Sequence, residues 1–439
     1  MKRVTLTCLL ASFLLSGCAG FNWFQEDHKT VLKGERVSVL QFQKDLVPDP
    51  ALQNLPVTIP DAWTNQFWPQ AGGYPNHVMG NLALAANLKE AWSASIGAGG
   101  SRRDPLTAEP VVAEGLIFTL DTDGVITAFD VSNGKQKWRQ ETAQGEKDSG
   151  CLGGGLAYAS GKLYITNGCK TLVALNPATG AMTWKTDLRA PARSAPTVAD
   201  DKVYVITLDN HLLVFSAADG TPLWNYAGVA EETNLLGSAS PAADKGLVIL
   251  PLSSGELLAL RPENGQVVWE DNLSAVRRLG ALSSIADIRG LPVIDQGVVF
   301  AVSYSGRFVA LDVISGRRLW QREIGGAETP LPAGDHVFSI TTDQQLAAFT
   351  RQGGVIHWTM QLPRYLGDDK DKPVVWTGPV LAGGRLVVAS SGGEMLEMDP
   401  KDGRILRKRS LSGNVTIPPI VAANTLFILA ESGKLTAYR

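Results

Sequence analysis

Cysteine, histidine and charge are all scarce in this chain. Its 439 residues include four Cys and five His; charged residues make up 19%, aromatics 7%, and the net charge is −3. So balanced a composition leaves no basic footprint for nucleic acid. The histidines, His28, His77, His211, His336 and His357, include none at metal-ligand spacing with Cys or another His. There is no Gly-x-Ser-x-Gly elbow and no phosphate-binding glycine loop. Ser132-Asn133-Gly134-Lys135 matches Ser-x-x-Lys, but it falls in a turn that recurs along the chain. No catalytic residue, metal site or cofactor is therefore expected. The apolar run at residues 4–15 is too short for an ordinary membrane span.

Repetition fills that space. Residues 306–320 read as a hairpin, Gly-Arg-Phe-Val-Ala-Leu-Asp-Val-Ile-Ser-Gly-Arg-Arg-Leu-Trp, with a strand's alternation around Val309 and Leu311 and a turn at Gly316. The same sentence recurs at Gly134/Trp138, Gly180/Trp184, Gly220/Trp224, Gly265/Trp269 and Gly354/Trp358, and in all six copies the turn Gly stands four residues before the Trp. A seventh copy keeps Gly393, Asp399 and Gly403 but has Arg407 at the Trp position. An eighth begins at Gly433 and stops at Arg439, while Lys89-Glu90-Ala91-Trp92 is a last strand with no repeat before it. Joining the two ends gives eight units of about 45 residues, the period of a propeller. The expected fold is all-β: an eight-bladed β-propeller of four-stranded antiparallel blades, closed by an N-terminal strand that joins the last blade and hides two sheet edges. The first strands are expected to begin at Pro110, Pro196, Pro241, Pro292, Pro379 and Pro419. The repeated Ala and Trp are expected to stack between neighbouring blades as core.

The domain reading follows. Residues 1–17 are a signal peptide, with Lys2 and Arg3 ahead of the apolar run. Leu15-Ser16-Gly17-Cys18 resembles the bacterial lipobox, which makes Cys18 the lipidated N-terminus; the alternative is a plain secretory signal. Ala19 lacks the Asp that resembles an inner-membrane retention signal, which implies the periplasmic face of the outer membrane. Residues 18–61 are the lipidated cysteine and a tether, 62–87 a lead-in segment rich in Trp, Pro and Gly, and 88–439 the propeller.

After processing, Cys151 and Cys169 remain, either a disulfide in an oxidising compartment or two thiols. Trp269 to Trp320 is the longest spacing, 51 residues, and its excess lies at 274–290. Here Arg277, Arg278, Asp287 and Arg289 are interleaved with Leu279, Leu282, Ile285 and Ile288. The loop of the adjacent blade, 228–239, carries Glu231, Glu232, Leu235 and Leu236. Mixed apolar and charged loops on a rigid ring suit protein binding; the alternative is that they pack only on their own ring.

The Trp-Pro lead-in and the Ala-x-Asp-x-x-x-Gly-x-x-x-Trp repeat resemble the quinoprotein propellers over about 350 residues. With the lipobox, the tether and no enzyme site, the chain resembles the BamB family of outer-membrane protein assembly lipoproteins. That resemblance implies a non-enzymatic scaffold of the β-barrel assembly machine. It implies binding to a POTRA domain of the barrel subunit BamA through the two loops above, and placement of unfolded outer-membrane protein precursors. The family's Leu-Arg before Gly corresponds to Leu235-Leu236-Gly237, and its Asp-x-Asp before Pro to Asp287-Ile288-Arg289; Leu235 and Asp287 match, whereas Leu236 and Arg289 depart. Two rivals stay open. One is a lipid-anchored propeller that binds another envelope protein or a polysaccharide. The other is a quinoprotein dehydrogenase, which the non-adjacent cysteines and short chain disfavour.

Overall fold

In six blades an alanine and the repeat's tryptophan face each other across the outer two strands of the sheet, and in the third blade Val214 takes the alanine's place opposite Trp224. Ala128 stands opposite Trp138, Ala174 opposite Trp184, Ala259 opposite Trp269, Ala310 opposite Trp320, Ala348 opposite Trp358 and Ala437 opposite Trp92. The small partner leaves room for the indole to lie over the sheet edge toward the next blade. The computed structural model describes residues 46–142, 153–231, 235, 237, 239–274, 285–367 and 371–439. Among them are eight four-stranded antiparallel sheets, arranged as an eight-bladed propeller, and no α-helix. Blade 1 comprises Val111–Ala113, Leu116–Leu120, Val125–Asp130 and Gln136–Glu141; blades 2–7 repeat the pattern from Gly154 to Ser410. Blade 8 is composite: Ile420–Ala422, Thr425–Leu429 and Lys434–Tyr438 are completed by Glu90–Ser95.

The core is a set of wedges between neighbouring blades rather than one central mass. One wedge joins Leu257 and Ala259 of blade 4 to Val299 and Val309 of blade 5, and another joins Phe300 and Phe308 of blade 5 to Val337 and Phe349 of blade 6. The tryptophans seal these wedges at the rim. A Cβ on Gly134, Gly180, Gly220, Gly265, Gly316, Gly354 or Gly403 would lie 2.5–2.7 Å from the preceding blade's indole. The indole N–H then donates to the carbonyl three residues before that glycine: Val131, Pro177, Pro262, Val313, Arg351 and Pro400 accept from Trp92, Trp138, Trp224, Trp269, Trp320 and Trp358 at 2.7–3.0 Å. Trp184 is the exception, because Ala217 O already accepts from the Tyr164 hydroxyl at 3.0 Å and from Lys162 Nζ at 3.2 Å.

The same logic explains Arg407. A Trp in blade 7 would need a turn in blade 8 to dock on, and blade 8 has none, because its last two strands are the two ends of the chain. The Ala–Trp pair is replaced by Glu397 opposite Arg407, an ion pair at 3.6 Å. Arg407 Nη1 donates to Ala86 O and Arg409 Nη2 to Leu88 O at 2.7 Å, which ties the chain's entrance to the blade.

Two boundaries differ from the sequence reading. Pro379 does not begin its strand. It sits inside Trp376–Ala382 at a register shift between Thr377 and Val380, where the missing N–H costs no ladder bond. The packed chain also starts before residue 61: Asp49 N–H donates to Ile356 O at 2.9 Å, and Val57 is buried in the wedge between blades 6 and 7.

Candidate docking face and central cavity

The lead-in segment laces the axis of the ring. Asn65 O accepts from Ala423 of blade 8, and Trp68 exchanges two 2.9 Å backbone bonds with Val112 of blade 1. Pro69 O accepts from Tyr158 of blade 2; the Gln70 amide both donates to and accepts from the Val198 backbone of blade 3, at 2.8 and 2.9 Å. Pro75 and Asn76 carbonyls take Ala243 N of blade 4 and Ile294 N of blade 5, and Leu82 N donates to Leu381 O of blade 7. One extended segment, rich in Pro and Gly, thus satisfies the inner strands nearly all the way round. Most of these contacts fall on the middle residue of a three-residue innermost strand: Val112, Val198, Ala243 and Ile294.

One end of the ring stays hollow. A cavity of about 210 Å³ is floored by Ala71 and walled by the segments that precede each innermost strand, including Glu109, Ser194, Arg289 and Glu328. The two loops singled out in the sequence enter on this side. Asp287 is wholly buried and acts as their staple. Its Oδ1 takes Arg193 Nη2 at 3.4 Å, and its Oδ2 takes the Leu235 N–H at 2.8 Å. Arg193 is equally buried, and its Nη1 donates to Asn210 Oδ1 at 3.1 Å. Burial pushes the Arg193 guanidinium down from its ordinary value, and the Asp287 charge pulls it back up. Leu235 is half-buried, and Leu236 lies outside the described residues. Arg289 donates to Glu328 Oε1 at 3.0 Å, and Glu328 Oε2 accepts from Thr377 Oγ1 at 2.7 Å and Gly378 N at 3.1 Å. So Leu235, Asp287 and Arg289 share one end of the ring, but Asp287 faces inward and holds a loop rather than facing out.

Cys18 lies outside the described residues, as does Cys151; Cys169 is disulfide-bonded. Glu109, Arg193 and Glu328 were not singled out in the sequence. Each is a lone charge among small residues, one to three positions before the proline that leads into an innermost strand: Glu109-Pro110, Arg193-Ser194-Ala195-Pro196 and Glu328-Thr329-Pro330. That offset is the signal that finds them. The sequence also missed a histidine pair, because 21 residues separate its members: His336 Nε2 and His357 Nδ1 are hydrogen-bonded at 2.9 Å. Among the described residues no three His, Cys, Asp or Glu side chains converge as a metal site would require.

The buried histidines set an acid limit. Burial lowers His77 to about 4 against the opposing bond from its Nδ1–H to Pro292 O, and burial plus the neighbouring His357 lowers His336 to about 4. Between pH 6.5 and 4 the unfolded chain therefore binds protons that the folded chain refuses, so stability is present above that window and is lost as pH falls through it. For His77 alone the loss is on the order of 3 kcal/mol. Glu109 acts in the opposite sense: burial raises its carboxyl to about 7, so its contribution weakens as pH rises from 4.5 to 7. Melting curves between pH 7 and 4.5 should show a falling Tm for the native chain. His77→Asn, which keeps a residue tolerant of the left-handed backbone at φ 61°, should flatten that fall.

Comparison with known proteins agrees with this architecture. The chain matches the family described as outer membrane protein assembly factor BamB over residues 82–151, 122–360 and 366–439. It is 29% identical to outer membrane protein assembly factor BamB of Yersinia pestis, covering 100% of this chain and 99% of that one. To the protein of that name from Salmonella typhimurium it is 31% identical, over 79% of this chain and 87% of the relative. The crystal structure of BamB from Moraxella catarrhalis superposes with a TM-score of 0.68 at 22% identity, over 80% of this chain and all 100% of that one. A quinohemoprotein alcohol dehydrogenase from Comamonas testosteroni shares the fold at a TM-score of 0.65 and 14% identity, over 88% of this chain and 83% of that one. This chain, with its laced eight-bladed ring of PQQ-like repeats, belongs to the family of outer membrane protein assembly factor BamB.

Proposed function

We propose that the chain is a non-enzymatic scaffold in the assembly of outer-membrane β-barrel proteins. In this reading Cys18 carries the lipid that holds the ring at the periplasmic face of the outer membrane. The hollow end docks a POTRA domain of the barrel subunit BamA and helps place unfolded precursors beside it. Family membership supports the assembly role. The observation that carries the docking face is the Asp287 staple: one buried carboxylate binds loops from two neighbouring blades, so the surface they form is organised before any partner arrives. The cavity, at about 210 Å³, is smaller than the usual range for cofactor sites, which favours a scaffold over a dehydrogenase. We pair Cys169 with Cys151 in the disulfide.

The test is a crosslinked pull-down from native membranes with the lipidated protein as bait. Because Asp287 is buried, a substitution there would disturb the fold; Leu235→Glu is the cleaner change. Recovery of the barrel subunit with the native chain and loss of most of it with Leu235→Glu supports both the role and the face. Equal recovery keeps the role and moves the interface. Recovery by neither favours a lipid-anchored propeller with a different envelope partner.

A further inference from the structure

The central cavity holds an acceptor that the docking loops leave unused. Its lining includes the apolar side chains of Leu106, Leu291 and Ile417 and the prolines Pro105 and Pro418. It also carries three carboxylate or cationic groups, and two of them are spent on each other: Arg289 is paired with Glu328, whose second oxygen takes Thr377 and Gly378. Glu109 is the third. Gly72 N donates to its Oε2 at 2.9 Å, the Trp68 indole lies close enough to favour its charged form, and no ion pair reaches it among the described residues. Beside it on the cavity wall, Ser194 is 3% exposed and its hydroxyl has no hydrogen-bond partner.

Glu109 has no ion-pair partner among the described residues, and the cavity it lines leaves room for a cation. Burial is what raises the Glu109 carboxyl to about 7; the Gly72 N–H and Trp68 indole oppose the rise and the Glu328 charge adds to it. A positive charge brought to Glu109 would relieve that cost. A volume of about 210 Å³ falls below the range of drug-sized sites and suits one long side chain. Lysine and arginine lay an aliphatic stem along an apolar collar while the charged head seeks an acceptor. The wall offers both: apolar side chains at Leu106, Leu291 and Ile417, and an acceptor at Glu109.

We propose that the cavity receives one basic side chain, lysine or arginine, from a protein partner seated on the hollow end of the ring, and that its cation pairs with Glu109. This occupant rests on that end being the docking face, so the test separates the two claims by using peptides in place of the partner.

The probes are acetyl-Gly-Arg-Gly-amide, acetyl-Gly-Lys-Gly-amide and the uncharged isostere acetyl-Gly-citrulline-Gly-amide. Each is titrated by calorimetry and ligand-observed NMR into the processed protein. Saturable one-site binding is expected for at least one cationic peptide, and the citrulline peptide should bind at least about tenfold more weakly. Glu109→Gln keeps an oxygen for Gly72 N–H and should weaken the cationic peptide about tenfold or more. For the native chain affinity should rise about tenfold from pH 6 to pH 8, as Glu109 ionises. Of the groups that face it, Glu328 is ion-paired with Arg289, and His77, on the wall of the smaller cavity that Glu109 also lines, is lowered by burial to about 4. In Glu109→Gln that dependence should vanish. Thr107→Trp, which narrows the cavity and leaves Glu109 in place, should abolish binding and serves as the deciding variant if Glu109→Gln melts early. Equal binding of the citrulline peptide, undiminished binding by Glu109→Gln or by Thr107→Trp, or no saturable binding of either cationic peptide at about 10 mM would overturn the proposal. Peptide binding without partner recovery by the native chain would sustain the cavity assignment and sink the docking face; the converse would do the reverse.

Discussion

Arg193→Met should lower the stability of the ring by about 3–5 kcal/mol, measured by denaturant unfolding. The guanidinium and the Asp287 carboxylate it faces are 1% and 0% exposed, so its removal strands a carboxylate where water cannot reach. Asn210 would lose a donor as well. The double variant Arg193→Met, Asp287→Leu should recover much of the loss, because a buried pair replaced by apolar groups of similar volume is often neutral. Its remaining deficit reports the Leu235 N–H, which loses its acceptor. A single substitution costing under about 1 kcal/mol would mean that the pair is solvated in solution and that the two loops are not stapled.

Trp320→Ala should cost a similar amount, about 3–5 kcal/mol. The side chain is 7% exposed, stands edge-on to Phe308 with centroids 5.1 Å apart, and covers Gly354 of the next blade. Burial of such a ring contributes at most about 4–6 kcal/mol by area. The network offers a finer comparison. Trp320→Phe leaves Arg351 O without the 2.7 Å donor, whereas Trp184→Phe removes an N–H that has no partner. The first should therefore cost about 1 kcal/mol more than the second. From the other side of the joint, Gly354→Ala should be as damaging as the loss of a core side chain. Its φ of 60° disfavours an L residue, and the added carbon would lie 2.6 Å from the indole.

What the sequence showed and what it hid follow from the range of the interactions. The blade repeat is local: Ala, turn Gly and Trp fall within about fifteen residues, so their spacing alone gave eight blades and the composite closure. Arg407 looked like decay of the motif. Its reason became visible only when the eighth blade was seen to lack a turn for a Trp to cover. The lead-in segment was recognisable by composition, but its course round the axis was not, since its partners lie one to a blade from Val112 to Ala423 while the segment itself carries no matching repeat. The docking loops stood out by length and mixed character. Their electrostatics did not, because the staple joins Arg193 to Asp287 across 94 residues. Asp287 read as a charged loop residue, while in the ring it is a buried one.

The docking proposal puts the hollow end of the ring, and not the turn side, against the barrel subunit. A photo-crosslinking amino acid placed at position 235 in living cells tests this against the same residue at 264, in the exposed turn between the outer strands of blade 4. A crosslink to the barrel subunit is expected from 235 and none from 264. A crosslink from 264 alone, or from neither while the two proteins still co-purify, would contradict it.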